Sequence, residues 1–274
     1  MLATANNLSA ILAASKLPAF SGVAVRLMQV LSQDDASFQE VCDLLQTDAA
    51  LSTEVLRLAN SPLFCISSEV KTIALALATL GLDRLNLLVA TTALWRSVPG
   101  SLSRQLVRTW WRHNLTCALL CDQLPVTRGA ADYRYISGLL HSVGQLALIG
   151  TYPAEYSEVH DRAARRQQNL LDEERLVFGV DHCVLGEALL LEWGIPREVA
   201  DCAAHHHDPE NAQTPFSGLV YTACRTANQW GFAALVHHRL PDDALSPNVR
   251  ALARDQALCS SITEKVTSIE SHLL

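Results

Sequence analysis

The stretch Gly138-Leu139-Leu140-His141-Ser142-Val143-Gly144 places one histidine inside a run of apolar residues. Around it, and along almost the whole chain, apolar residues recur at intervals of three and four, with no sustained alternation of the strand type. This period is typical of helices that bury one face. We therefore expect an all-α protein, with this stretch on a helix from about Asp132 to Ile149. The residue after the histidine, Ser142, has neither the charge nor the basicity of a carboxylate.

The composition is that of a globular protein with a large core. Of its 274 residues, 49% are apolar and 18% are charged, enough for one large domain or two closely packed ones. The formal net charge of −7 argues against sequence-independent nucleic-acid binding, because that affinity comes from cations that neutralise phosphates. The start lacks the basic segment of a signal peptide, and the longest apolar stretch, Thr72 to Leu82, is too short to span a bilayer. We expect a cytoplasmic protein without nucleic-acid or membrane partners.

The eight cysteines are scattered through apolar helical patterns and do not form the spacing of a disulfide framework. Free cysteine is among the most buried residue types and packs as a small apolar side chain. The sequence therefore predicts reduced cysteines in the core.

Helix starts and breaks divide the chain into three segments. Ser37 followed by Glu40 forms a capping box, Asp48 caps the next helix, and Gly81 breaks a long apolar helix in two. Pro99-Gly100 closes this first half as a hinge. The predicted segments are an N-terminal helical subdomain over 1–100, a second helical subdomain over 101–235 and a C-terminal helical extension over 236–274, in one continuous unit. The extension is predicted to hold helices from Asp243 to Leu258 and from Ser261 to Leu273.

Histidines stand on four predicted helices, each inside or beside an apolar stripe. They are His113, His141, His182 and the run His205-His206-His207. Imidazoles suit transition metals, and the core of a helical bundle is where facing helices build such sites. Distant helices must converge for these side chains to meet. The residues alone leave open the alternative of separate, hydrogen-bonded core or surface histidines.

Over about 200 residues the chain resembles the HDOD family, the HD-related output domain of bacterial signalling proteins, in a series of segments that occur in the same order. The resemblance covers about 16–213 and implies an all-α fold, in which a five-helix N-terminal bundle packs on an HD-like helical core. The matching segments are Leu17-Pro18-Ala19-Phe20, Leu44-Leu45-Gln46-Thr47-Asp48, Leu56-Arg57-Leu58-Ala59-Asn60-Ser61-Pro62-Leu63-Phe64, Gly138-Leu139-Leu140-His141-Ser142-Val143-Gly144, Asp181-His182-Cys183-Val184-Leu185-Gly186 and Trp193-Gly194-Ile195-Pro196.

The catalytic relatives of this family, the HD and HD-GYP phosphohydrolases, hold one or two metals with histidines and aspartates. In this sequence Ser142 stands where the resemblance implies an aspartate, Gln145 replaces a lysine, and Cys224 falls near a later aspartate. No catalytic residue is therefore assigned. The implied remnant pocket consists of His113, His141, Ser142, Gln145, His182, His205, His206 and Cys224.

The expected function is that of a non-catalytic HDOD signalling module that binds signalling proteins, with a nucleotide as a second candidate ligand. The length leaves no room for an attached GGDEF, EAL or receiver domain, so we expect a stand-alone adaptor. No cofactor is expected. A residual transition metal remains an alternative, with the following ligands: His113, His141, His182 and His206.

Two further readings stay open. One is a metal-dependent HD-type phosphohydrolase or phosphodiesterase that uses substitute ligands, with Asp181, Asp201 or Asp208 entering the site. The other is a sensor whose remnant pocket binds a small molecule without converting it.

Overall fold

The computed structural model describes residues 2–15, 17–33, 35–61, 64, 69–98, 104–124, 132–166, 168–233 and 245–273. Within these ranges the chain is helical and contains no strand, which confirms the all-α prediction. The helices are α1 (Leu2–Ala14), α2 (Gly22–Leu31), α3 (Phe38–Gln46), α4 (Ala49–Ala59), α5 (Ile73–Ser97), α6 (Arg104–Gln123), α7 (Arg134–Leu140), α8 (Val143–Thr151), α9 (Pro153–Arg166), α10 (Leu170–Phe178), α11 (His182–Glu192), α12 (Arg197–His205), α13 (Phe216–Gln229), α14 (Pro247–Arg254) and α15 (Gln256–Leu273). A 3₁₀ helix covers Pro209–Asn211.

An N-terminal bundle is formed by α2–α5. The predicted caps are confirmed, since Ser37 accepts the N–H of Glu40 and Asp48 accepts the N–H of Leu51. Gly81 has a φ of 78°, a conformation that favours glycine, and it breaks α5 as expected. The two halves of α5 give the bundle five helical segments, and α5 packs on the other three helices.

By length and composition alone, α5 is long and apolar enough to cross a membrane. The sequence analysis did not foresee this, because it took Thr72 to Leu82 as the longest apolar stretch. Half of its most apolar window is buried inside the fold, and Gly81 interrupts it. A buried core helix has the same composition, so this signal is weak.

The helical core, α6–α13, is built around close helix crossings next to His141. A Cβ on Gly144 would lie 2.1 Å from the His182 carbonyl oxygen, and one on Gly138 would lie 2.7 Å from the Cα of Ala118. Only glycine allows the backbones to approach this far. These two positions therefore bring α8 against α11 and α7 against α6.

The single helix predicted from Asp132 to Ile149 is wrong, because the chain bends between α7 and α8. Ser142 has φ −113° and ψ 27°, outside the helical range. Its carbonyl accepts the Trp110 indole N–H at 2.9 Å and the N–H of Gln145 at 3.0 Å. The bend separates the helix that carries His141 from the one that packs on α11.

The two halves pack on each other through α5 and α7. The hydroxyls of Thr91 and Tyr135 are buried and 2.7 Å apart, and the Trp95 and Trp111 rings meet edge-on at 5.0 Å. Helix α15 packs on both α4 and α6. The predicted segment limits fall on residues 99–103 and 234–244, which lie outside the described residues.

The C-terminal extension breaks at a different residue from the one predicted. Helix α14 ends at Arg254 and α15 begins at Gln256, so the helices expected over Asp243 to Leu258 and Ser261 to Leu273 are misplaced. The reason is Asp255, whose backbone is extended and whose carboxylate accepts the N–H of Leu258 as a helix cap.

Candidate functional site

Four histidines from separate parts of the helical core meet in its interior. His113 lies on α6, His141 follows α7, His182 begins α11 and His206 follows α12. All four are at most 3% exposed. Ring centroids lie 5.4 Å apart for His113 and His141, and 4.8 Å apart for His141 and His206. The His182 ring is 5.4 Å from that of His206. The distant helices therefore bring these four side chains into one continuous row.

A backbone carbonyl fixes the tautomer of three of these rings. The Nδ1 atoms of His113, His141 and His206 lie 2.7, 2.8 and 2.9 Å from carbonyl oxygens. A carbonyl only accepts, so Nδ1 carries the hydrogen, and in the neutral imidazole Nε2 then keeps its lone pair. Metal-binding histidines are oriented in this way by a partner on the second nitrogen. The carbonyls belong to Phe232, Gly138 and Ala203.

Two cysteines complete one end of the row. Cys117 follows His113 by one helical turn on α6, and its Sγ is 3.5 Å from His113 Nε2. Cys224 comes from α13, with its Sγ 3.7 Å from that of Cys117 and 3.3 Å from His141 Nε2. Both thiols are buried, and the described cysteines form no disulfide. We call His113, Cys117, His141 and Cys224 the thiol–imidazole group.

The two sulfurs of the thiol–imidazole group differ in acidity. Burial raises the pKa of Cys117 well above its ordinary value, and the adjacent Cys224 adds to this. Burial also acts to raise the pKa of Cys224, but hydrogen bonds with Cys117, His113 and His141 and the positive charge of His141 outweigh it. The pKa of Cys224 therefore lies well below its ordinary value.

Three imidazoles form the other end of the row. The Nε2 of His182 lies 3.4 Å from that of His206 and 3.2 Å from that of His207. His207 is half-buried, so this end approaches solvent. The Cys183 Sγ is 4.0 Å from His206 Nδ1, which is the nitrogen that already bonds to a carbonyl. Cys183 therefore does not lie on the same side of the His206 ring as the Nε2 atoms that face one another. We call His182, His206 and His207 the three-imidazole group.

A buried carboxylate orients His182. Glu174 is fully buried and accepts the backbone N–H of His182 at 2.8 Å, its Nδ1–H at 2.7 Å and the hydroxyl of Tyr156 at 2.8 Å. Burial lowers the pKa of His182, but the charges of Glu174 and Cys183 outweigh it and hold that pKa well above its ordinary value. Burial and the nearby charges of His141 and His182 lower the pKa of His206.

The family model of the HDOD domain matches residues 17–209 of this chain. The chain belongs to the HDOD family. This confirms the resemblance drawn from the ordered sequence segments.

Solved structures show the same fold over nearly the whole chain. An HDOD domain protein from Geobacter sulfurreducens is 24% identical, with a TM-score of 0.76, over 98% of this chain and 96% of that one. A candidate phosphohydrolase from Shewanella amazonensis gives 23% identity and a TM-score of 0.71 over 94% and 96%. A candidate signal transduction protein from Marinobacter aquaeolei gives 20% and 0.68 over 94% and 59%. The HDOD fold is thus shared by proteins named for signalling and for phosphohydrolysis.

Curated relatives match over shorter stretches. An uncharacterised protein of Treponema pallidum is 25% identical over 214 residues, which is 75% of this chain and 40% of that protein. Ribonuclease Y of Thermus thermophilus is 40% identical over 90 residues, which is 31% of this chain and 15% of that enzyme. The HDOD chain therefore spans two-fifths or less of the length of these relatives.

The residues of this HDOD chain do not fit the aspartate-containing metal centre of the HD-type hydrolases. The Ser142 hydroxyl is buried and donates to Asn114 Oδ1 at 2.9 Å, so it is committed to a side-chain amide. Among the described residues, the candidate metal-ligand sets contain only histidine and cysteine. Glu174 reaches His182 at Nδ1, on the far side of the ring from Nε2. Gln145 is buried nearby, and its Oε1 accepts no hydrogen bond from the described residues.

The acidic residues considered as substitute ligands are engaged elsewhere. The Asp181 carboxylate accepts the N–H of Val184 at the start of α11 and is paired with Arg175 at its other oxygen. Asp201 accepts two backbone N–H groups at 2.9 and 3.0 Å, and Asp208 accepts an asparagine side chain at 3.1 Å. None of the three is part of a candidate metal-ligand set in the described chain.

His205 is the one predicted pocket histidine that lies outside the row. Its Nδ1 is 3.4 Å from Asp208, and its Nε2 is 3.9 Å from Asp201. His207 occupies the inward position instead. Since α12 ends at His205, helical periodicity does not set the direction of the residues that follow it.

Two residues of the site, Cys117 and Glu174, were missed by the sequence reasoning, whereas His207 was named within the run His205-His206-His207 but left out of the implied pocket. Both missed residues left a signal. Cys117 stands four residues after His113, on the same face of one helix. Glu174 stands four residues from both Leu170 and Phe178, in the middle of a buried stripe. A carboxylate at such a position needs a buried partner, which here is His182.

Proposed function

We propose that this HDOD chain is a non-catalytic regulatory module that acts by binding a signalling protein. The observation that carries the proposal is the composition of the site. Ser142 is tied to Asn114, and both donor groups consist of histidine and cysteine only within the described residues. In-line phosphodiester cleavage relies on a pair of cations that stabilises the attacking and leaving oxygens, and a bridging carboxylate keeps such a pair close.

Exposed apolar side chains on two helices support binding as the mode of action. Most of the exposed large apolar side chains in the described chain lie on α10 and α11, the helices that hold Glu174 and His182. Leu176 is 73% exposed, and an apolar side chain on a surface is inexpensive to desolvate when a partner covers it. The side chains are Leu176, Val177, Val184 and Leu191.

Binding to a purified partner tests the proposal. A protein captured from extract of the source cells by the full chain would be purified and titrated against it by calorimetry. We expect saturable binding that Leu176→Asp weakens by roughly tenfold or more. Leu75→Asp, which alters a 43% exposed leucine on α5, is the matched control and should bind like wild type. Absence of saturable binding, or equal loss in both variants, would count against this function.

A nucleotide is the second candidate ligand. Three arginines of α9 line a surface depression of about 420 Å³ together with Glu158. Guanidinium groups bind phosphate oxygens with parallel hydrogen bonds. Thermal unfolding with a panel of nucleotides separates this mode from protein binding, because a ligand of the native state raises the melting temperature. The arginines are Arg162, Arg165 and Arg166.

A metal-dependent hydrolase is the alternative function, and the three-imidazole group is what favours it. Three imidazoles are one ligand set of catalytic zinc sites, which keep a further position for water. His207 is half-buried and gives that position access to solvent. The alternative requires metal-dependent turnover that His207→Ala abolishes.

A further inference from the structure

The thiol–imidazole group has the donor set of a tetrahedral zinc site. Zinc binds thiolate sulfur at about 2.3 Å and imidazole nitrogen at about 2.0–2.1 Å, and two of each is a common structural set. Tetrahedral geometry then separates two sulfurs by about 3.8 Å, and a sulfur from a nitrogen by about 3.5 Å.

The observed separations match these values. The two sulfurs, of Cys117 and Cys224, are 3.7 Å apart. Cys117 Sγ is 3.5 Å from His113 Nε2, and Cys224 Sγ is 3.3 Å from His141 Nε2. All four donor atoms lie within 4.8 Å of one another. Three of the six separations therefore have the values of a tetrahedral zinc site, and the other three are at most 4.8 Å.

The surroundings prepare the nitrogens as ligands. His113 and His141 each donate Nδ1–H to a carbonyl oxygen, at 2.7 and 2.8 Å, so both direct the Nε2 lone pair at the sulfurs. The group is closed to water, since three of its members are at most 1% exposed and Cys224 is 8% exposed. Two thiolates would balance the charge of a divalent cation without any carboxylate.

We propose that His113, Cys117, His141 and Cys224 bind one zinc ion in a closed, structural site. With all four positions taken by protein, no position is left for a reacting water. The ion would join α6, the bend after α7 and α13, and its two cysteine ligands are 107 residues apart along the chain. This site goes beyond the proposed regulatory function. The missing aspartate by itself suggests that the pocket holds no metal, whereas these four residues form a ligand set that does not need it.

Elemental analysis and cobalt substitution of the full, untagged chain test the site. We expect about one zinc per chain after purification without added metal. The cobalt-loaded chain should show the visible bands of tetrahedral cobalt and a thiolate-to-cobalt charge-transfer band in the near ultraviolet. Cys117→Ala and Cys224→Ala should each lose the metal or weaken that band.

Cys121→Ala is the matched control. Cys121 is fully buried one turn further along α6, and it is in neither candidate ligand set. It should retain zinc and the charge-transfer band. Equal metal content in all three cysteine variants would overturn the proposal.

Wild-type measurements keep the proposal falsifiable if the ligand variants fail to fold. Zinc-edge X-ray absorption should give a first shell of two sulfurs and two nitrogens, and removal of zinc by a strong chelator should lower the melting temperature by about 10 °C. A chain without metal whose Cys117 and Cys224 titrate as free thiols or as a disulfide would show a hydrogen-bonded or redox pair instead. An oxygen-only first shell would also overturn the proposal.

Discussion

The N-terminal bundle and the helical core place their polar side chains in opposite ways. In the bundle, Ser21, Ser37, Asp48 and Thr72 cap helix starts at exposed or half-buried positions. In the core, a row of imidazoles and thiols with one carboxylate is buried, except for the half-buried His207. Burial of polar groups costs free energy unless each finds a partner. Polar residues of the bundle therefore set helix boundaries, whereas those of the core hold a site together.

The largest expected effect comes from the buried carboxylate. Glu174→Ala would leave the buried His182 without its charged partner, and we expect the free energy of unfolding to fall by about 4 kcal/mol. Urea denaturation followed by circular dichroism measures it. Glu192→Ala, at the exposed end of α11, should change stability by less than about 0.5 kcal/mol. Similar losses of stability in both variants would show that the buried carboxylate stabilises the fold no more than a surface carboxylate does.

A backbone contact next to the row comes second. Gly144→Ala would place a methyl group 2.1 Å from the His182 carbonyl oxygen, so α8 and α11 must separate. We expect a loss of about 3 kcal/mol in the free energy of unfolding. Gly218→Ala is the control, because a Cβ there meets nothing within 4 Å in α13. A wild-type stability for Gly144→Ala would mean that the two helices do not cross so closely.

The buried serine should matter more than a surface cap of the same chemistry. Ser142→Ala leaves Asn114 Oδ1 without its hydrogen-bond donor, and we expect a loss of about 2 kcal/mol. Thr72→Ala removes an exposed cap of α5 and should cost about 1 kcal/mol. Thermal denaturation of both variants side by side checks the order. The reverse order would place the stabilising polar contacts in the bundle.

The smallest effect is the acid response of the bundle. The Leu51 N–H, with help from Ser21 and Arg96 and against the opposing effect of burial, lowers the pKa of Asp48. A carboxyl with a lowered folded-state pKa stabilises the fold above its unfolded pKa, and this contribution is lost as pH falls through the folded-state pKa. Asp48→Asn should therefore show a weaker loss of stability in acid than wild type. Parallel acid profiles for the two chains would exclude this contribution.

The sequence was most informative about the bundle, where structure is locally encoded. Ser37, Asp48 and Gly81 act on residues within one turn of themselves, so their effects were predicted correctly. In the core, the Ser142 carbonyl at the bend accepts a hydrogen bond from an indole on another helix, that of Trp110. Such a contact leaves no local pattern, and the predicted continuous helix was wrong there.

The site was predictable only in part, because some of its contacts join distant parts of the chain. The sequence pattern singled out His113, His141, His182 and His206, the family resemblance placed them in one pocket, and the fold brings them together. The choice between His205 and His207 depended on where α12 ends. The pairing of Cys117 with Cys224 required the crossing of α6 and α13, which spacing along the chain does not specify.

Phosphodiester turnover by a preparation of known metal content tests the central claim most directly. The full chain, first as purified and then with added Mn²⁺, Fe²⁺ or Zn²⁺, would be incubated with bis(p-nitrophenyl) phosphate and a cyclic dinucleotide, next to His207→Ala. The proposed non-catalytic function predicts equal background rates for both chains under every condition. Metal-dependent hydrolysis by the wild-type chain that is lost in His207→Ala would contradict it and establish the three-imidazole group as a catalytic centre.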